Sequence, residues 1–157
     1  SKTFAMTGWR IGYILSENDE AMGHITKMQY YVTACSNDAM QYAVLEAMEN
    51  ASDYPSQMCD EFKARRDLIC DRLNAMPGVS CHIPTGAFYV FPKVEVPGMN
   101  SEEIAMALLN GGVLCSPGSA FGDAGEGHLR FAYTIGREDI SRGMDRVEKV
   151  LANLRSD

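Results

Sequence analysis

The chain changes character at Met76-Pro77-Gly78. Ahead of that tripeptide, apolar residues recur at helical spacing in three successive stretches. Behind it, short strand-like runs take over, interrupted by one helical pattern after Asn100 and closed by another after Arg137. Proline cannot extend a helix, and glycine after it accepts the left-handed backbone of a helix end. Three helical patterns followed by mixed strands and helices exclude an all-β or all-α fold and place the chain in the α/β class, with an α+β second part.

The helical stretches carry their own start signals. Ser16-Glu17-Asn18-Asp19-Glu20 is polar and acidic, which suits the positive end of a helix dipole. Met22, Ile25, Met28 and Val32 then keep one face apolar. Thr33–Asp38 breaks the pattern, and Ser36 is the expected cap of a second helix with Ala39, Met40, Ala43, Val44, Ala47 and Met48 on its apolar face. A boundary follows at Asn50–Pro55, where Ser52 or Asp53 is placed to cap and Pro55 suits the first turn. The third helix is expected to run to about Ala75. Its buried side is Met58, Phe62, Ile69, Leu73 and Met76, and its wet side is Glu61, Lys63, Arg65, Arg66 and Asp67.

Beyond the break, Val79, Cys81 and Ile83 alternate with polar residues, Pro84-Thr85-Gly86 reads as a turn, and Ala87–Phe91 as a second strand. The spacing predicts a hairpin in which Phe88 and Tyr89 are core residues rather than ligand contacts. Asn100-Ser101-Glu102-Glu103 resembles a capping box, Ile104, Ala105, Leu108 and Leu109 follow at helical spacing, and Gly111-Gly112 stops that helix. Val113–Cys115 is expected as a short strand. Ser116–Gly122 contains glycine but lacks the Gly-x-x-x-x-Gly-Lys-Ser/Thr spacing of a phosphate loop. His128–Tyr133 reads as a strand with Arg130 inside it, and a charge there faces solvent or a ligand. The last helix starts near Arg137, with Ile140, Met144, Val147, Leu151 and Leu154 as its seam.

Ser1–Tyr13 carries the densest chemistry. Lys2 offers an amine that becomes nucleophilic when its environment lowers its pKa, and Arg10, eight positions on, offers a planar cation able to bond two phosphate oxygens. Gly8 lets the backbone pass close to a ligand or take a conformation closed to other residues, and Ile11–Leu15 reads as a strand leaving the segment. The set Lys2, Ala5, Met6, Gly8, Arg10, Ile11 and Gly12 resembles the cofactor-lysine segment of the class I/II, fold-type-I aminotransferases, which use pyridoxal 5′-phosphate (PLP). Pro84-Thr85-Gly86-Ala87-Phe88-Tyr89, Ser116–Gly122 and Leu129-Arg130-Phe131 resemble further runs of that family.

The resemblance implies a fold-type-I PLP-dependent transferase of which this chain is the C-terminal part. Residues 1–52 are then a remnant of the large cofactor-binding domain near a dimer interface, and residues 53–157 a long linking helix with the small domain. It implies that Lys2 binds the cofactor covalently and moves the proton, that Arg10 anchors the phosphate, that Gly86-Ala87 approaches the substrate and that Arg130 holds the substrate α-carboxylate. The family's pyridine-nitrogen aspartate, stacking ring and the asparagine and tyrosine on the phenolic oxygen have no counterpart here. The implied reaction is amino transfer between an α-amino acid and a 2-oxo acid of the aspartate, aromatic or alanine type, by a cytoplasmic homodimer. Two alternatives stay open: another chemistry on the same fold, such as a β-lyase or a cyclopropane-carboxylate synthase, and an inactive structural fragment without cofactor.

Composition narrows the partners. A net charge of −7 argues against nucleic acid. No apolar run approaches a membrane span and no signal peptide opens the sequence. The five cysteines are odd in number and form no Cys-x-x-Cys pair, so small buried hydrophobes in a reducing compartment are expected rather than a disulfide framework or zinc site. His24, His82 and His128 are too scattered to suggest a metal.

Overall fold

A computed structural model describes residues 1–156. Asp157, the last residue of the expected second domain, lies outside the described residues. The chain is of the α/β class and divides into two compact units, Ser1–Cys59 and Asp60–Asp157.

The first unit is helical. After a 3-10 turn at Thr7–Trp9 come α1 (Asp19–Thr33) and α2 (Asp38–Asn50). Asn18 caps α1 by accepting from the Ala21 amide at 2.9 Å. Asn37 caps α2, accepting from the Met40 amide at 3.3 Å. The cap is thus Asn37 and not the expected Ser36, one residue earlier. Neither α1 nor α2 has a buried residue among those described. On the apolar face of α1, Met22 is partly buried, while Met28 and Val32 are 63% and 70% exposed, so the C-terminal half of that face is uncovered within this unit. Ile11–Leu15 is not a strand. A strand needs a neighbour for its amides and carbonyls, and every strand pairing in the structure lies in the second unit.

Helix α3 (Tyr54–Asn74) begins in the first unit, and from Asp60 on its residues belong to the second. Pro55 sits in its first turn, where the missing amide costs nothing. Ile69, Cys70 and Leu73 point into the core of the second unit. Arg65 and Arg66, read as wet-side residues, are half-buried instead. They lay their stems on the protein and donate to the carbonyls of Thr134 at 3.0 Å and Pro84 at 3.3 Å.

The strands of the second unit are short: β1 (Val79–Ser80), β2 (Tyr89–Val90), β3 (Lys93–Val94), β4 (Ser116–Pro117) and β5 (Leu129–Ala132). They form two antiparallel sheets, β1-β3 and β2-β5-β4. The expected hairpin between the Val79 and Tyr89 runs is therefore absent: Val79 pairs with Val94, and Tyr89 with Ala132. Val113–Cys115 is not a strand either; pairing begins one residue later, at Ser116 opposite Arg130. Helix α4 (Ser101–Asn110) has the anticipated capping box between Asn100 and Glu103. Helix α5 (Arg137–Leu154) buries Ile140, Met144, Val147 and Leu151 as its seam demands. These residues meet Leu73, Leu108, Leu129 and Phe131 in one core. Burying a side chain of this size stabilises by about 1.5–3 kcal/mol, so this core dominates the stability of the unit.

Two cysteines depart from the expectation. Cys70 and Cys81 are buried and Cys115 partly so, but Cys35 and Cys59 are exposed.

Candidate functional site

In the first unit, Lys2 and Arg10 both lie on an exposed, tightly turned segment. The Ala5 amide closes a turn on the Lys2 carbonyl at 3.2 Å, and the Trp9 amide another on Met6 at 3.2 Å. Arg10 donates to the Thr7 carbonyl at 3.2 Å. Two residues here take the left-handed backbone that only glycine adopts without cost, Ala5 and Arg10, each at φ 52°. Such conformations cost on the order of 1–3 kcal/mol and gather at functional sites. Gly8, expected to supply the unusual backbone, is not left-handed, and a side chain built on it would meet nothing within 4 Å. Its contribution is open space beside the chain. A cavity of about 320 Å³ is lined by Ser1, Thr3, Phe4, Met6, Val44 and Met48 among others, and neither Lys2 nor Arg10 is among its lining residues.

The donor set of this segment suits a PLP-type group: a primary amine for an aldehyde, a guanidinium for a phosphate, and unfilled space beside Gly8 and Gly12.

In the second unit, strand alternation builds a separate surface. Leu129 and Phe131 are buried, so Arg130 and Ala132 share the other face of β5. Opposite them stand Ser116 on β4 and Tyr89 on β2. Tyr89 is thus diagonal to Arg130, within reach of a long side chain. The Arg130 guanidinium lies over the Tyr89 ring at 4.6 Å and over the Phe121 ring at 4.5 Å. Its Nη2 donates to the Ser116 hydroxyl at 3.3 Å.

The polar partners of Arg130 set it apart. The half-buried Arg65, Arg66 and Arg72 each pair with a carboxylate, on Glu61, Asp67 and Asp145. Arg130 is half-buried too, yet among the described residues it has no acidic partner. A guanidinium carries five donors, and one is used here. A partly desolvated cation with most of its donors unspent is the arrangement a carboxylate ligand would complete.

Phe121 is held by the loop that carries it. The Gly118 amide donates to the His128 carbonyl at 2.8 Å, continuing the β4–β5 pairing into a 3-10 turn at Gly118–Phe121. The backbones of Gly118 and Gly125 touch, so that a Cβ on Gly118 would sit 1.9 Å from the Gly125 oxygen. Glu126 accepts from the Ser101 amide at 2.7 Å and from its hydroxyl at 2.9 Å, tying this loop to the start of α4. The Ser101 and Gly127 amides and the Ser101 hydroxyl hold the Glu126 carboxyl below the usual glutamate range.

Sequence reasoning singled out Arg130 but not its surroundings. Tyr89 was expected in the core, yet it is 36% exposed and faces the cation. Period-two alternation from buried Val90 could have placed it there. The resemblance of Ser116–Gly122 to a family run gave Phe121 no role, and nothing in the sequence points to the Ser101–Glu126 tie, which spans 25 positions. In the turn before β2 the left-handed residue is Ala87, at φ 61°. The Ala87 carbonyl accepts the Tyr133 hydroxyl at 3.0 Å. His128 stacks on Phe91 at 5.1 Å. No group of His, Cys, Asp and Glu that could hold a metal occurs among the described residues.

Comparison with known proteins agrees across almost the whole chain. The sequence model of the aminotransferases of class I and II matches residues 1–147. The aspartate aminotransferase of Pyrococcus horikoshii is 38% identical over 154 residues, covering 96% of this chain and 39% of its own length. The crystal structure of the aromatic aminotransferase from Pyrococcus horikoshii superposes with a TM-score of 0.90 at 37% identity, covering 98% of this chain and 41% of that one. Aspartate aminotransferase from Thermus thermophilus with maleate gives 0.88 at 31%, covering 96% and 39%. The chain thus spans about two fifths of the length of the curated relatives it matches. It belongs to the class I and II aminotransferase family.

Proposed function

We propose that this chain is the C-terminal part of a PLP-dependent aminotransferase that moves an amino group between an α-amino acid and a 2-oxo acid. Residues 1–52 are read as the remnant of a large cofactor-binding domain and residues 53–157 as the small domain. The observation that carries the reading is Arg130: a half-buried guanidinium with no acidic partner among the described residues, in a chain of aminotransferase sequence.

In this reading Lys2 would hold the cofactor through its Nζ and, once freed as an amine by the incoming amino acid, would accept the proton from the substrate α-carbon. Arg10 pairs with the phosphate, a task that suits a fixed, exposed guanidinium. Arg130 receives the substrate α-carboxylate in a two-pronged contact and so orients the α-carbon bond for proton loss. When bound, PLP supplies the electron sink for charge developing at that carbon. Similarity to aspartate and aromatic aminotransferases supports an amino-acid donor of one of those types. The cytoplasmic and homodimeric expectations belong to this same reading.

The test is turnover by the full native polypeptide containing these residues, with aspartate or phenylalanine as donor and 2-oxoglutarate as acceptor. Amino transfer requires the acceptor. Release of product from the amino acid alone would refute the assignment in favour of a lyase or synthase on the same fold. In an active enzyme, Arg130→Lys raises KM for both substrates, because a point charge replaces a fork.

A further inference from the structure

We propose that Tyr89 and Phe121 are positioning residues that hold the Arg130 guanidinium ready for a planar carboxylate. This rests on the reading of Arg130 as the carboxylate site. Arginine has a long, flexible stem. Freezing one such side chain only when ligand arrives would weaken binding roughly two- to tenfold. Here the guanidinium already lies over two rings, at 4.6 Å from Tyr89 and 4.5 Å from Phe121.

The rings fix the cation without neutralising it. An acidic partner would hold Arg130 equally well, but it would occupy the donors a ligand needs. An aromatic ring attracts the cation through its face and takes no N–H donor. All five donors of a guanidinium lie in its plane. With both ring centroids within 4.6 Å of the guanidinium carbon and one donor on the Ser116 hydroxyl at 3.3 Å, the donors that remain can serve the two oxygens of a carboxylate.

Both rings are themselves braced. Tyr89 follows the left-handed Ala87 and stands on β2, whose next residue, Val90, is buried. Its ring packs against Phe88 at 4.6 Å. Phe121 meets the edge of Phe91 at 5.9 Å, and its loop is held by the Gly118–Gly125 contact and the Ser101–Glu126 hydrogen bonds. Both rings are nonetheless exposed, Tyr89 at 36% and Phe121 at 51%. Truncating either one therefore leaves the core intact.

The experiment uses the full native polypeptide containing these residues, labelled with nitrogen-15 arginine. The Arg130 Nε–Hε resonance, assigned through Arg130→Lys, is followed in the original chain, Tyr89→Leu, Phe121→Leu and the conservative Tyr89→Phe, with and without maleate. Backbone amides of β5 and α5 confirm folding in each. The expected result is a ring-shifted, slowly rotating guanidinium in the original chain and in Tyr89→Phe. Each leucine variant loses that signature and binds maleate roughly two- to tenfold more weakly. If the resonance and the maleate affinity are the same in the leucine variants, the rings do not position Arg130 and the proposal falls, while Arg130 remains a carboxylate site. If the rings govern the resonance but maleate shifts Arg130 in no variant, the carboxylate reading falls and takes the positioning role with it.

Discussion

Replacing Gly118 by alanine tests how the loop beside Arg130 is built. The new Cβ would lie 1.9 Å from the Gly125 oxygen and 2.7 Å from the His128 oxygen. Both obstacles are backbone, so no side chain can swing aside, and the Gly118–Gly125 contact has to open by about 1 Å. Overpacking of this kind costs about 1–3 kcal/mol, and losing the Gly118–His128 hydrogen bond adds about 1 kcal/mol. The expected destabilisation of the second unit is about 3 kcal/mol. Gly98→Ala is the matched control: Gly98 is left-handed at φ 77° but has nothing within 4 Å of a built Cβ. It should lose only the conformational cost of about 1–2 kcal/mol. Urea unfolding followed through the amide signals of α5 reports the second unit for both. A Gly118→Ala variant less destabilised than Gly98→Ala would refute the close packing of the two backbones.

Other positions give independent expectations. Gly143 sits inside α5 with space beside it, so Gly143→Ala should stabilise the second unit by about 0.5–1 kcal/mol in the same urea assay. Burial, with Cys70 beside it, pushes the Cys81 thiol up to about 12, and burial pushes Cys115 up to about 11. A thiol reagent at pH 8 should therefore modify the exposed Cys35 and Cys59 quickly, and the buried Cys70 and Cys81 only after unfolding. Glu126 is held below the usual glutamate range by its hydrogen bonds. Its contribution is complete above that range and is lost as pH falls through the lowered value. Glu126→Gln should flatten the acid side of the urea midpoint against pH, and an unchanged slope would exclude Glu126 as a source of acid sensitivity.

What the sequence made legible was whatever repeats along one element. The seam of α5 and the buried side of α3 follow from helical period, and the Asn100–Glu103 box from local cap chemistry. The strand pattern left Arg130 facing solvent or a ligand, and its carboxylate role came only from the family resemblance. Pairing between strands was not. Runs of two to four residues carry too little pattern to choose partners, so Val79 was joined to the wrong neighbour. Gly8 was offered as a place for an unusual backbone because glycine tolerates it, while Ala5 and Arg10 of the same segment adopt it. Local composition does not show which residue of a turn takes that conformation. The strand expected at Ile11–Leu15 failed because an extended run forms a strand only where another strand is available to pair with it.

The assignment of Lys2 and Arg10 to a cofactor is tested most directly by trapping. The chain is mixed with PLP at low concentration, reduced with borohydride and digested, and the labelled peptide is mapped. The account predicts label on Lys2, and a marked loss of that label in Arg10→Ala, because the guanidinium no longer holds the phosphate. Label spread evenly over Lys2, Lys27, Lys63, Lys93 and Lys149, unchanged by Arg10→Ala, would contradict a cofactor site on this segment.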